Sequence, residues 1–130
     1  MSLKERRNKE RLAKKVREGF RGYPIATVAY YGPDATRATK VSVGLIEGEG
    51  IEVGVLERWF SSSADVRADP QIAEAILSFI QSHAARTVAS AGRIIGCPHE
   101  EGVDYPEGEE CPQCPFWAGR DRWNGGSSAE

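Results

Sequence analysis

An α+β fold is the class this sequence predicts: a small three-stranded sheet with one helix packed across it, a basic N-terminal helix, and a zinc-knuckle-like C-terminal segment. Three observations carry that expectation. Residues 25–31 and 39–45 have the β-branched and alternating composition of strands. The run after Asp69-Pro70 has the apolar spacing of a helix. All three cysteines fall between Cys97 and Cys114, close to a histidine.

Leu3 to Gly19 is rich in Lys, Arg, Glu, Leu and Ala and contains no proline, so a helix is expected there. Leu12, Val16 and Phe20 give it only a narrow apolar stripe, which suggests weak docking. Gly19, Gly22 and Pro24 end it. Ile25 to Tyr31 then reads as a strand, and Thr39, Val41, Val43 and Leu45 alternate with Lys40, Ser42 and Gly44 in the pattern of a half-buried second strand. Gly32-Pro33-Asp34 is turn chemistry, so the two strands should form an antiparallel hairpin, and the glycines at 48 and 50 end its second strand.

For Val53 to Phe60 the expectation is a short helix burying Leu56, Trp59 and Phe60, with Gly54 as its weak point. Asp69 followed by Pro70 is a helix start: the carboxylate caps free amides, and proline occupies a position that needs no donor. Ile72, Ala73, Ile76, Leu77 and Ile80 make one apolar face, which predicts a helix over 70–84. Thr87 to Ile95 is the third strand, interrupted by Gly92. The domain reading is a basic helical extension over 1–22, one α+β domain over 23–124 with the cysteine segment folded against the sheet edge, and a small polar tail over 125–130 expected to be disordered.

The formal net charge of −2 conceals two opposed regions. Residues 1–22 contain nine Lys or Arg against three Glu, giving +6, and the remainder contains eight against sixteen, giving −8. No apolar run approaches the roughly 18 residues of a membrane span, and no secretion signal is evident, so a cytoplasmic protein without membrane association is expected. An odd cysteine count argues against a closed disulfide framework. Nucleophile-base pairs, phosphate loops and cofactor fingerprints are not evident, which leaves catalysis without a sequence signature.

Cys97, His99, Cys111 and Cys114 supply four soft ligands, the number and type a closed tetrahedral zinc site requires. Two residues between Cys111 and Cys114 let both sulfurs reach one ion, and the eleven residues after His99 allow the chain to loop back. Asp104, Glu100 or His83 are alternatives to His99 as fourth ligand. His83 also suits the negative end of the helix from Pro70. A redox role for Cys111 and Cys114 would call for a long helix after the second cysteine, which Pro115 and the glycine at 119 oppose. Phe116, Trp117 and Trp123 are expected to cover the metal turn and join it to the core, with base stacking as the alternative.

The run from Gly96 through Cys97-Pro-His99-Glu-Glu-Gly-Val-Asp-Tyr-Pro and Cys111-Pro-Gln-Cys114-Pro-Phe-Trp-Ala-Gly to Arg122 resembles a family of short uncharacterised bacterial proteins. The likeness extends to Asp69 and Val28–Pro33. It implies a bacterial cytoplasmic protein and carries no activity with it.

Three functions remain in view. The first is a zinc-stabilised interaction module with a protein partner, in which four protein ligands leave no open position for chemistry. The second is nucleic-acid binding through the basic residues 1–22, opposed by the acidic loop around the ligands. The third is a metal-dependent hydrolase in which a ligand leaves to admit water and an acid after His99 serves as base.

Overall fold

The computed structural model describes residues 3–62, 64–118, 120–121 and 126–127. Helix α1 (Leu3–Arg17) precedes strands β1 (Ile25–Tyr31), β2 (Lys40–Ile46) and β3 (Leu56–Phe60). A 3-10 turn (Val66–Ala68), helix α2 (Pro70–Ser82) and strand β4 (Thr87–Gly96) follow. After the ligand loop come a second 3-10 turn (Pro115–Trp117) and the two-residue strands β5 (Arg120–Asp121) and β6 (Gly126–Ser127), which pair antiparallel. The class is α+β, with a four-stranded mixed sheet in the order β3-β2-β1-β4.

The hairpin forms as the turn chemistry predicts. β1 and β2 are antiparallel in the register Ile25↔Ile46 to Tyr31↔Lys40, while β4 lies parallel to β1 on its other side. The parallel pairing needs a crossover, and α2 provides it. Asp69 caps that helix as expected, its carboxylate accepting from the amides of Gln71 (2.9 Å) and Ile72 (3.3 Å). Ala26, Val28, Val41, Val43, Val88 and Ile94 join Ile72, Ile76, Leu77 and Ile80 in a single apolar cluster.

Two expectations are corrected. The sheet has four strands rather than three, because Leu56–Phe60 is the edge strand β3 and Val53–Phe60 is not a short helix. Leu45 and the chain at Gly54 and Val55 exchange backbone hydrogen bonds at 3.0 Å, which starts a ladder that continues to Ser61 and Thr39. A helix would have left the outer groups of β2 without these partners. β2 is also buried on both faces rather than half-buried, Lys40 and Ser42 included. Its second face is covered by the ligand loop and by the segment carrying Val53 and Leu56.

The basic N-terminal helix, expected to be a weakly docked extension, packs on α2 and β4. Leu12 enters the core, Val16 packs against it, and buried Asn8 reaches Glu74. A narrow stripe suffices here because α2 offers a flank the sheet leaves uncovered. Of the 125–130 tail only Gly126–Ser127 is described, and Trp123 lies outside the described residues. Among the described residues no helix is long and apolar enough to cross a membrane.

Candidate metal centre

β4 ends at Gly96, whose carbonyl accepts from the Gly32 amide at 2.9 Å, so the chain leaves the sheet beside the C-terminal end of β1. The next residue is Cys97. Its sulfur accepts from the His99 amide at 3.2 Å, which wraps Pro98 and His99 tightly around it. The loop then folds on itself. Asp104 accepts from the Glu100 amide at 2.7 Å, Glu101 accepts from the Gly108 amide at 2.6 Å, and the Gly102 amide donates to the Tyr105 carbonyl at 2.8 Å. Gly102 and Gly108 have φ of 82° and 87°, the left-handed conformation that glycine adopts without steric penalty. These turns bring Cys111 and Cys114 back to Cys97.

The candidate ligands Cys97, His99, Cys111 and Cys114 are brought together, with one ligand atom from each lying within 4.8 Å of the others. His99 Nδ1 sits 3.2 Å from the Cys97 sulfur, 3.4 Å from that of Cys111 and 3.5 Å from that of Cys114. Cys97 and Cys114 are buried, and Cys111 is partly exposed. Burial pushes the Cys97 thiol well up from its ordinary range, opposed by the His99 amide and reinforced by Cys111 and Cys114. Burial likewise raises the Cys114 thiol. Such sulfurs become thiolates when a cation offsets the desolvation.

The alternative fourth ligands are engaged elsewhere. Asp104 caps the Glu100 amide, and His83 ends α2 with its ring 4.4 Å from that of Phe79. Glu100 forms ion pairs with Lys40 at 3.1 Å and Arg58 at 2.7 Å. Both acids after His99, the candidates for a general base, therefore hold the loop in place. Pro115 opens a 3-10 turn of three residues, far from the long helix that thiol-disulfide chemistry would need.

Lys40 was missed by sequence reasoning as part of the site. Alternation assigns it to a solvated face, yet it is 4 % exposed. Its ammonium donates to the Pro98 carbonyl at 3.0 Å and to Glu100 at 3.1 Å, and lies over the rings of Tyr31 and Phe60. The available signal was the acidic excess of the ligand loop, which needs cations from the strands beneath it. Trp117 makes the second tie, its indole N–H donating to the Gly32 carbonyl at 2.8 Å while its ring packs on the core. Phe116 meets it edge to face at 4.9 Å. The covering role expected of these aromatics is thus met by Trp117, and its polar edge is already bonded.

Compared with protein-family models, curated proteins and solved structures, the chain has no match. Its class is therefore defined by the residues themselves: an α+β protein whose C-terminal loop gathers three cysteines and a histidine into a cluster that could hold a metal ion.

Proposed function

We propose that this chain is a small interaction module whose ligand loop is folded by one structural zinc ion held by Cys97, His99, Cys111 and Cys114. The observation that carries the reading is the spacing of the donor atoms. Zinc bonds of about 2.3 Å to sulfur and about 2.0–2.1 Å to nitrogen, set at tetrahedral angles, require S···N edges of about 3.6 Å. The three edges here are 3.2, 3.4 and 3.5 Å.

The donor set supports the same ion, since thiolates and imidazole select zinc over oxygen-seeking cations. Four protein donors fill a tetrahedron and leave no position for water or substrate, which favours a scaffold over a catalyst. The charges agree as well. Three thiolates around a divalent cation leave one negative charge, Glu100 adds another, and Lys40 and Arg58 offset both. Loops with so little apolar surface order themselves around their metal.

Chelation separates scaffold from catalyst. Removing the metal from reduced protein should expose the chain between Cys97 and Trp117 to protease and shift Trp117 emission to the red, with the sheet and α2 still protected. Equal protection of that loop with and without chelator would sink the structural role and favour an exchangeable site.

A second reading, nucleic-acid binding through α1, is supported by the outward direction of its cations. Arg6, Arg7, Arg11 and Lys14 are exposed on the side away from Leu12, and among the described residues of this helix only Lys4 is ion-paired, to Glu74. Binding to DNA or RNA that weakens steeply with salt is the expected result. A gel shift absent even at low salt would end this reading.

A further inference from the structure

β3 is an edge strand, and its outer side is built to be paired. The ladder to β2 runs through the odd-numbered residues: the Leu45 amide donates to the Val55 carbonyl and the Ser61 amide to the Thr39 carbonyl, each at 3.0 Å. By the alternation of an antiparallel pair, the amides and carbonyls of Leu56, Arg58 and Phe60 therefore point away from the sheet. Among the described residues no strand lies beyond them. Natural edges are usually blunted by proline, by bulges or by free charge. Here there is no proline, the register with β2 is unbroken over all five residues, and the one cation that shares the outward positions, Arg58, is held by both oxygens of Glu100 at 2.7 and 3.2 Å.

The opposite edge of the sheet is different. β4 carries register irregularities against β1 and a left-handed Gly92 at φ 75°, which distort that edge.

The side chains along β3 are apolar where an occupant would meet them. Leu56 is 41 % exposed and Phe60 64 %, both on the face that carries the ligand loop. They stand at the two ends of the outward-facing triplet. When an identical strand is laid antiparallel with Arg58 at the centre, Leu56 of each copy falls directly opposite Phe60 of the other. The outward amides and carbonyls at 56, 58 and 60 then find partners without a register shift. Arg58 meets its own copy, and the Glu100 carboxylate beside each guanidinium removes the repulsion that two bare cations would generate.

We infer that this edge is a self-association surface: β3 pairs antiparallel with β3 of a second copy about a two-fold axis at Arg58, joining two four-stranded sheets into one. The occupant is a second copy rather than an unrelated peptide because the strand is complementary to itself in hydrogen bonding, in side-chain shape and in charge. The inference is independent of which metal the ligand loop holds. The contact is short, below the roughly 1,200 Å² of standard interfaces, so it is a dimer of modest affinity that assembles as concentration rises.

Light scattering on the reduced, metal-loaded full chain, run from low micromolar concentration upward, should show the mass rising from one chain to two. Replacing Leu56 and Phe60 together with lysine alters two largely exposed side chains, one over Gly44 and one beside the Lys40 ammonium, and leaves the backbone ladder to β2 in place. This L56K/F60K variant should keep the circular dichroism of the parent and dissociate at least about tenfold more readily. Val103→Lys alters the most exposed apolar residue of the ligand loop, at 77 %, and should leave the association unchanged. Hydrogen exchange supplies a readout that needs no substitution. Amides of Leu56, Arg58 and Phe60 should gain protection with concentration, while those of Glu57 and Trp59, bonded to β2, stay protected throughout. The inference is overturned by a mass of one chain at every concentration, by an unchanged dimer in L56K/F60K, by dissociation in Val103→Lys instead, or by exchange at the three outward amides that ignores concentration.

Discussion

Replacing Lys40 with methionine tests whether the ligand loop is held on the sheet by the buried ammonium. Methionine keeps the length and apolar stem of lysine, so the change isolates the charge and its donors. Two charge-assisted hydrogen bonds disappear, one to the Pro98 carbonyl at 3.0 Å and one to Glu100 at 3.1 Å. Each such bond contributes about 1.5–3 kcal/mol. Glu100 is one-third exposed and keeps Arg58, so its loss belongs at the low end of that range. Lysine also gives up the desolvation cost of its buried charge on replacement, which offsets part of the loss.

The net expectation is destabilisation by about 2–3 kcal/mol. For a chain of this size each kcal/mol moves the melting temperature by about 3–5 °C, so a fall of about 6–15 °C is expected. The assay is thermal unfolding with zinc in excess, together with the rate of zinc transfer to a coloured chelator. That rate should rise, since Pro98 and Glu100 flank His99 on both sides. A melting temperature within about 2 °C of the parent, with unaltered zinc release, would refute the clamp.

Two further perturbations probe the rest of the fold. Asp65 accepts from the Ala38 amide and from Arg67, and those hydrogen bonds, that of the Arg67 side chain foremost, hold its carboxyl down at about 2 from an ordinary 3.8. A depressed folded value means the stabilisation is fully present above about 4 and is lost as pH falls toward about 2. Asp65→Asn should therefore be less stable at neutral pH and show a flatter decline in urea midpoint across that window; a parallel decline would show that Asp65 is not the group titrating. Leu12→Ala should cost about 2 kcal/mol, the low end for a buried leucine because α1 can settle onto the smaller side chain. A cost below about 0.5 kcal/mol in denaturant titration would mean that α1 is a solvated extension.

Much of this structure was legible in the residues. Asp69-Pro70 fixed the start of α2, and the β-branched run from Ile25 and the alternation from Thr39 gave the hairpin its strands and faces. The ligand cluster was legible because few residue types bind soft metals, and because two cysteines three positions apart, followed by a proline that stops any long helix, suit a shared ion better than a redox pair. β3 was not. Leu56-Glu-Arg-Trp-Phe60 is too short for its periodicity to separate strand from helix, and what decides it is the unpaired side of β2, a tertiary fact. Lys40 was illegible for a related reason: alternation assigns a residue to a face, but only the fold reveals that a loop 58 residues further along the chain covers it. The docking of α1 likewise depends on the flank of α2 that happens to be open to it.

Whether three sulfurs and one imidazole enclose a single zinc ion is decided by X-ray absorption at the zinc edge of the reduced protein. One zinc per chain is expected, with about three sulfur scatterers near 2.3 Å and one nitrogen near 2.0–2.1 Å, and with no oxygen shell. A spectrum showing oxygen or nitrogen neighbours in place of the sulfurs, or reduced protein carrying no zinc at all, would contradict it.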